Sequence, residues 1–411
     1  MAGFVKDVTP RPLAIDIVAE KLSFPWHFDS VVVPLEMAGG SRLAEDIFCS
    51  EQYPPYTRSL RDGYAVCSQD VVAATVGTPT FLQSTKSILM GTKPDFRITN
   101  GEAAAIPTGG LLPEGADAVV MAEDTSLTGG FVEVRAGVQS GENIIGAGEE
   151  LKAGQLILNR GDLVDFRTIS LLSTLGVGEV RAVRPRVSIL STGDEIVPVE
   201  TSPLPPGKIR DVNGWSVRSV LARCGFESEY RGIVSDDGEE FERRFAEELE
   251  RCDVLILSGG SSVGARDRCS QVLEGLPKPG LIVRGVNIVP GKPTLIAGCA
   301  ARKKLVVSLP GHPLSCLTVA YVLLVPLLLR LIGAKNQKFG HRLFLELAKD
   351  ITARTGPEKF MPGVVDEAGR IAPVLAKSGY VSPLSKSDGL IRIPEDRETL
   401  RAGEKAEVWI W

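Results

Sequence analysis

The residues best suited to chemistry begin with one short stretch, Ser258-Gly259-Gly260-Ser261-Ser262, which closes the apolar run Val254 to Leu257. An apolar run of this length that ends at glycines predicts a buried strand through Ser258. Glycines let a ligand approach the backbone, and successive amides in such a turn can form an anion-binding nest. Asp267 then opens a predicted helix, Arg268 to Glu274. The stretch suits a phosphate and its Mg²⁺, although an ordinary turn between strand and helix fits this motif alone about equally well.

Three further loops carry polar groups beside predicted strands. The first, Ser191-Thr192-Gly193-Asp194-Glu195, offers two hydroxyls and two carboxylates, a set suited to hydrated Mg²⁺ beside a phosphate. In Pro290-Gly291-Lys292-Pro293 two prolines fix the backbone around one lysine, which suits a positive charge aimed at an anion. Leu309-Pro310-Gly311-His312-Pro313-Leu314-Ser315 ends a strand and starts a helix, so that free amides face a ligand. Each motif alone is weak, and the Gly-Asp-Glu tripeptide also fits a capped helix start or an Asx turn.

Residues 181–332 must position these four loops. Strands are predicted at Val187–Leu190, Glu229–Val234, Val254–Ser258, Ile282–Val286, Thr294–Ala297 and Leu305–Leu309. Helices are predicted at Trp215–Cys224, Glu239–Arg251, Arg268–Glu274 and Pro313–Leu331. This alternation predicts a doubly wound, largely parallel sheet covered on both faces. Ligands of such sheets bind outside the carboxyl ends of the strands, so we expect the loops to meet there.

The rest of the chain predicts a multidomain protein of α/β plus β class, as its 411 residues require. Residues 1–52 and 147–180 are expected to form an extended α+β domain. Residues 53–146 read as an inserted β domain, and residues 333–411 as a C-terminal β-barrel or sandwich.

Composition narrows the class of function. The formal charge of −5 gives no overall basic field and argues against a nucleic-acid partner. Seven cysteines without a CxxC pair fit reduced thiols in a cytoplasmic protein. The N-terminal residues lack an apolar core of signal-peptide length. The most apolar run, Leu314 to Leu329, is too short and too polar for a membrane span, and predicts a buried helix that Pro326 ends or kinks.

The order of the motifs resembles the molybdopterin molybdenumtransferases, the MoeA-type enzymes that include the E domain of gephyrin. The similarity extends over nearly the whole chain. It is carried by Ser41 to Ile47 (SRLAEDI), Asp62 to Val66 (DGYAV), Thr108-Gly109 with Pro113 to Val120 (PEGADAVV), Gly141 to Ile144 (GENI), Gly148 to Glu150 (GEE), Asp211 to Asn213 (DVN) and the four loops above.

The resemblance implies a four-domain homodimer in which residues 1–52 and 147–180 make dimer contacts and residues 181–332 bind molybdopterin. Its substrates would be adenylylated molybdopterin and molybdate or tungstate, with Mg²⁺ assisting pyrophosphate cleavage and AMP release. Its partners would be an upstream molybdopterin adenylyltransferase and cofactor-accepting enzymes, with neither nucleic acid nor membrane involved.

The resemblance also implies roles for individual residues. Asp194, Glu195 and Asp267 would hold Mg²⁺. Catalytic roles fall to Asp62, Glu195, Asp267 and Lys292. Substrate-binding roles fall to Arg58, Arg61, Thr108, Glu150, Ser191, Thr192, Gly193, Ser258, Gly259, Gly260, Ser261, Ser262, Gly291, Gly311, His312 and Ser315. Without the resemblance, Asp62 reads as a turn acid before Gly63, and Thr108 as a turn cap.

Several residues depart from the family pattern. His312 replaces a common asparagine, Val289 replaces a basic residue, and Glu150 replaces aspartate. Two arginines, Arg58 and Arg61, stand where the family lacks them. These changes suggest a divergent enzyme tuned to tungstate or to another pterin form. A non-catalytic scaffold that keeps the fold is the alternative, whereas a nucleotide-binding oxidoreductase lacks its GxGxxG turn.

Overall fold

The computed structural model describes residues 8–259, 263–336 and 340–411, without the side chains of residues 85 and 263–267. The chain forms two compact units. One comprises Met1–Glu45, Asn159–Ser173 and Val177–Trp411, and the other comprises Asp46–Leu158 with Thr174–Gly176.

A six-stranded sheet forms the centre of the first unit. Its strands lie in the order Glu229–Val234, Val187–Thr192, Val254–Gly259, Lys304–Leu309, Leu295–Cys299 and Pro279–Val283. The first four are parallel, Leu295–Cys299 runs antiparallel to both of its neighbours, and Pro279–Val283 again runs in the direction of the first four. The predicted, largely parallel sheet is therefore confirmed. The strand expected at Ile282–Val286 lies three residues earlier in the chain, at Pro279–Val283.

Helices cover both faces of this sheet, which is why every residue of strand Val187–Thr192 is buried. They span Asn213–Arg223, Gly238–Arg251, Val263–Glu274 and the helical run Pro313–Leu331. Helix Gly238–Arg251 buries Phe241, Phe245 and Leu249 on one face. The Asp237 carboxylate caps its start by accepting hydrogen bonds from two backbone amides.

The helical run Pro313–Leu331 does not end at Pro326, contrary to one of the two outcomes expected for it. It continues as α-helix Pro313–Val319, π-helix Ala320–Leu324 and α-helix Val325–Leu331. Proline cannot bond to the carbonyl four residues earlier, that of Val322, and the Arg11 guanidinium donates to this carbonyl at 3.4 Å. By length and composition the run would suit a membrane, but 83% of its most apolar window is buried within the protein.

The remaining elements of the first unit surround this core. Helix Arg11–Lys21 packs on it, strand Ser30–Pro34 pairs with Glu179–Val183, and Ile196–Val197 pairs with Ile209–Arg210. The C-terminal sheet has the order Ile288–Val289, Glu358–Val365, Gly389–Ile393, Lys405–Ile410 and His341–Glu346, with Ile371–Pro373 beside Glu358–Val365. Ile351–Thr352 pairs with Thr399–Leu400, and the one helix described there is Ser382–Ser385. Buried Glu358 joins the N-terminal helix to this sheet, because it accepts from Arg11 at 2.7 and 2.9 Å and from Arg392 at 2.5 Å.

The second unit is built on its own six-stranded sheet. The order is Ala118–Met121, Gly63–Val66, Glu102–Ile106, Thr80–Ser87, Phe131–Val134 and Thr125–Thr128. Short helices lie at Ser68–Val71 and Ala122–Asp124. Strand Ile47–Phe48 pairs antiparallel with Leu156–Leu158, and Arg58–Ser59 pairs with Ile144–Ile145. The chain thus enters and leaves the segment Asp46–Leu158 through adjacent strands.

Candidate functional site

Strand register brings the four predicted loops to one edge of the α/β sheet. The lysine loop, residues 290–293, is among them because Leu295, which follows it, lies opposite Ser308. Ser191 lies opposite Ser258, Thr192 opposite Gly259, and Ser258 opposite Leu309. The loops that start at Gly193, after Gly259 and at Pro310 therefore leave the sheet side by side. This is the carboxyl edge, where ligands of parallel sheets bind.

Gly259 lies tightly against the neighbouring strand at this edge. Its φ is +119°, and a Cβ added there would overlap the carbonyl oxygen of Thr192. Only glycine fits this contact without displacing the neighbouring strand. Gly260, Ser261 and Ser262 lie outside the described residues, as does the Asp267 side chain, so their predicted roles remain predictions.

Asp194 is held by the strand next to its own. Its Oδ1 accepts from the Ser235 hydroxyl at 2.6 Å and from the Asp236 amide at 3.0 Å. These bonds keep the pKa of Asp194 below its ordinary value. Its backbone carbonyl accepts from Lys208 Nζ at 2.6 Å. The exposed carboxylate is thus fixed and ionised, as a cation ligand must be.

Asp236 is a further acid at this edge, and the motif analysis missed it. Burial raises its pKa, and the neighbouring charges of Asp194 and Glu195 raise it further. Glu195 itself lies against Gly193, where a Cβ would sit 2.8 Å from the Glu195 carboxylate. The signal that could have revealed Asp236 is its position just after Glu229–Val234, a strand of the same parallel sheet.

A buried polar network holds the Gly311 loop in place. The Asn213 amide donates to the Gly311 carbonyl at 2.7 Å. Asp211, almost fully buried, accepts from the Gly214 amide at 3.0 Å and from the Tyr230 hydroxyl at 2.7 Å. Burial and the Asp211 charge raise the pKa of Tyr230, so its hydroxyl stays protonated and donates. The Asp-Val-Asn motif is therefore a support for the Gly311 loop, a role the sequence did not indicate.

The lysine loop is anchored through its backbone. A Cβ at Gly291 would sit 2.5 Å from Val319, on the helix that follows the Gly311 loop. The Thr294 hydroxyl donates to the Gly291 carbonyl at 2.7 Å, and the Lys292 carbonyl accepts from the Val286 amide at 3.1 Å. The lysine therefore projects from a loop whose backbone is fastened on both sides.

His312 and Ser315 begin the helix Pro313–Val319. His312 is exposed, and its Nδ1 lies 3.3 Å from the hydroxyl of Ser378 in the C-terminal domain. Ser315 is buried. Burial also raises the pKa of the adjacent Cys316 thiol to about 12, which keeps it protonated and unreactive. His312 thus contacts the C-terminal domain.

The second unit holds the five remaining predicted residues. Asp62 accepts from the Thr108 amide at 2.7 Å, which lowers the pKa of the exposed Asp62 carboxyl. Arg58 lies over the Tyr53 ring at 5.5 Å and donates to its hydroxyl at 3.2 Å, while the Glu150 amide donates to the Tyr53 carbonyl at 3.2 Å. Arg61 is exposed, and its amide donates to Ser59. Asp62 and Thr108 therefore form one pair, and Arg58 and Glu150 gather at Tyr53.

The glycine that follows Asp62, Gly63, is required for steric reasons. Gly63 lies opposite Met121 on the neighbouring strand, and a Cβ there would overlap the Val120 carbonyl oxygen. The close approach of the two strands leaves Asp62 at the strand's exposed start. This explains the Asp-Gly pair by packing, apart from any catalytic role.

The fold and the loops at its carboxyl edge define a multidomain protein built around a molybdopterin-binding type of α/β domain. Residues 188–330 match the description "Probable molybdopterin binding domain". Residues 13–176 match "MoeA N-terminal region (domain I and II)", and residues 345–411 match "MoeA C-terminal region (domain IV)".

Individual relatives agree with these matches. A protein of Haemophilus influenzae named molybdopterin molybdenumtransferase is 31% identical over 396 residues, covering 95% of each chain. A crystal structure of a molybdopterin biosynthesis moeA protein from Pyrococcus horikoshii OT3 has a TM-score of 0.83 and 26% identity, covering 98% of this chain and 100% of that one. A second structure of a Pyrococcus moeA protein has a TM-score of 0.75 and 33% identity over 98% of this chain and 99% of the other. The chain belongs to the MoeA family of molybdenum-cofactor biosynthesis proteins.

Proposed function

We propose that the protein is a molybdopterin molybdenumtransferase, which inserts molybdate into adenylylated molybdopterin and releases AMP. The observation that carries this proposal is the register of Thr192, Gly259 and Leu309, which sets polar loops side by side at one sheet edge. The near full-length similarity to a relative named for this activity supports it. Cytoplasmic location and exchange with an upstream adenylyltransferase and with cofactor-accepting enzymes belong to the same proposal.

We assign different residues at this edge to different charged groups of the substrate. Ser258 to Ser262 are assigned to the phosphates from their sequence, and Lys292 supplies a positive charge for the metal oxyanion or the pterin phosphate. The expected free amides at the start of the next helix are largely absent, because Pro313 has no amide hydrogen and the Leu314 amide donates to the Ser378 carbonyl at 3.1 Å. Ser315, in the first turn of this helix, is the residue there that we assign to the same anions. Binding therefore places the pyrophosphate bond between fixed donors, which lowers the cost of orienting it.

The acids fit a magnesium ion in part. Asp194 and Glu195 would hold it together with Asp267. Burial and the charges of Asp194 and Glu195 raise the pKa of Asp236, and a bound cation would relieve the repulsion among these carboxylates. Within the described residues, no group of three or more histidines, cysteines or acids is arranged to hold a metal ion. Two protein carboxylates with water and substrate phosphates are nevertheless a usual Mg²⁺ environment. Such an ion would neutralise charge on the pyrophosphate as AMP leaves.

Asp62, Thr108, Glu150, Arg58 and Arg61 complete the proposal. We assign them to the same substrate in a homodimer, each acting on the partner's site. The Thr108 amide lowers the pKa of Asp62 and keeps its carboxylate ionised, which suits a group that positions water or a cation better than a general base.

The test is AMP release from adenylylated molybdopterin with molybdate and Mg²⁺. Replacement of Lys292 by alanine or of Glu195 by glutamine should reduce kcat by about 100-fold or more, since each removes a charge from the reacting region. Lys93→Ala, at an exposed lysine of the second unit, is the matched control and should retain full activity. Pterin binding without AMP release by the unmodified protein would instead favour the non-catalytic scaffold. Titration of molybdate against tungstate on the pterin-bound protein distinguishes the two metals.

A further inference from the structure

A second cavity, of about 470 Å³, lies at the opposite edge of the α/β sheet, where strand Val187–Thr192 begins. Its volume is that of a small-molecule site. Two glutamates, Glu227 and Glu229, lie in its wall. Five arginines line it, namely Arg184, Arg186, Arg218, Arg231 and Arg251. Asp253 and Glu248 pair with three of these arginines, so five arginines face four carboxylates and one positive charge remains in excess.

The arginines retain unused hydrogen-bonding capacity. The Arg218 guanidinium lies 5.9 Å from the Trp215 ring, and no carboxylate in the described part of the chain pairs with it. Arg186 uses Nε and Nη2 on Asp253, at 3.3 and 2.6 Å. Its Nη1 has no hydrogen-bond partner among the described residues. Each of these two guanidinium groups can therefore donate hydrogen bonds to a further anion.

Two other features of the wall suit a ligand with several oxygens. The buried hydroxyl oxygen of Ser228 has no hydrogen-bond partner within the described residues. Arg184 pairs with Glu227 at 3.1 Å, but that glutamate side chain is 71% exposed, so the pair contributes little and can be exchanged. Pro185 separates Arg184 from Arg186 and fixes the backbone between them.

We propose that this cavity binds a small polyanion of phosphate type, with guanidinium groups as its main donors. Arginine matches phosphate oxygens with paired N–H groups, which carboxylates in the wall cannot offer. The site is separate from the candidate active site, because the six-residue strand between them spans about 17 Å. It therefore goes beyond the proposed transferase activity and does not depend on it.

Calorimetric titration with inorganic pyrophosphate, without divalent cations, tests this site. The double variant Arg184→Gln/Arg218→Gln should weaken one binding event by about tenfold or more, since it removes two positively charged hydrogen-bond donors from the cavity wall. The control Arg243→Gln/Arg370→Gln removes the same charge from two exposed ion pairs elsewhere and should change nothing. Equal affinity in the two double variants would overturn the proposal.

Two single variants separate this site from the active site. Glu227→Gln should tighten the cavity event by about fivefold, because it frees Arg184 and removes a like charge from the ligand. Lys292→Ala should leave the cavity event intact even if it abolishes AMP release. Loss of every pyrophosphate-binding event in Lys292→Ala would show that no second site exists, whereas unchanged AMP release in that variant would count against the transferase proposal alone.

Discussion

The side chain of Asn213 donates a 2.7 Å hydrogen bond to the carbonyl of Gly311, a residue 98 positions later in the chain. This bond ties the start of helix Asn213–Arg223 to the loop that precedes helix Pro313–Val319. Asn213 is buried, so its amide is held in one orientation. The loop that offers amides to an anion is thus positioned by a residue that need not touch the anion.

Asn213→Ala should therefore loosen the Gly311 loop. We expect the free energy of unfolding to fall by about 1–3 kcal/mol, because the Gly311 carbonyl loses its partner in a buried place. The KM for adenylylated molybdopterin should rise more than kcat falls, which steady-state kinetics would show. Asn100→Ala, at an exposed asparagine of the second unit, should alter neither quantity. Unchanged stability and kinetics in Asn213→Ala would contradict the positioning role.

Gly259→Ala should be among the most damaging substitutions in the α/β domain. The new Cβ would overlap the Thr192 carbonyl, and the φ of +119° is itself unfavourable for alanine. Gly232→Ala is the matched control, because its φ is +88° with open space around it, and should cost only about 1–2 kcal/mol. We expect Gly259→Ala to cost a further ~3 kcal/mol or more, measured by chemical denaturation. Similar losses in both variants would rule out the steric explanation.

Ser235→Ala should raise the pKa of Asp194, since the Ser235 hydroxyl is the main cause of its lowering. A carboxyl with a lowered folded-state pKa adds stability above its ordinary value of 3.8, and this stability is lost as pH falls through the folded pKa. In the variant, protonation should begin at a higher pH. Carbon-13 NMR titration of the Asp194 carboxyl measures the shift, and Ser173→Ala, at an exposed serine, should leave it unchanged.

Asp62→Asn removes the negative charge of Asp62 but keeps the shape of its side chain. Asparagine keeps an oxygen to accept from the Thr108 amide, so the thermal unfolding midpoint should stay within error of the wild-type value. If the carboxylate takes part in the reaction, kcat for AMP release should fall by about 100-fold or more. Asp95→Asn, at an exposed aspartate of the same unit, provides the comparison. Full activity in Asp62→Asn would reduce Asp62 to a turn residue.

The elements of the α/β sheet were predictable because short apolar runs bounded by glycine and proline define buried strands locally. The misplaced strand at Ile282–Val286 shows the limit of that approach. Val286 is buried, as its apolar side chain suggests, but it forms an isolated bridge with Thr9 near the start of the chain. Its partner lies too far away in sequence for any local pattern to indicate.

The candidate site was predictable where motifs carry its residues in order, and not where tertiary contacts supply them. Asp236 belongs to a segment that reads locally as the start of a helix, and Asp237 does cap that helix. Its proximity to Asp194 arises only from the pairing of strands Val187–Thr192 and Glu229–Val234. Likewise, Arg11 donates to the Val322 carbonyl within the π-helix, a contact that no local sequence pattern indicates.

The antiparallel pairing of Ile47–Phe48 with Leu156–Leu158 has a consequence for how such a protein can change. Because the two ends of the segment Asp46–Leu158 lie on paired strands, a short linker joining Glu45 to Asn159 should let the rest of the chain fold without this segment. A foreign domain of different size could be inserted at the same position without changing the path of the chain through the core. The length and content of this segment can therefore vary while the carboxyl edge of the α/β sheet stays as it is.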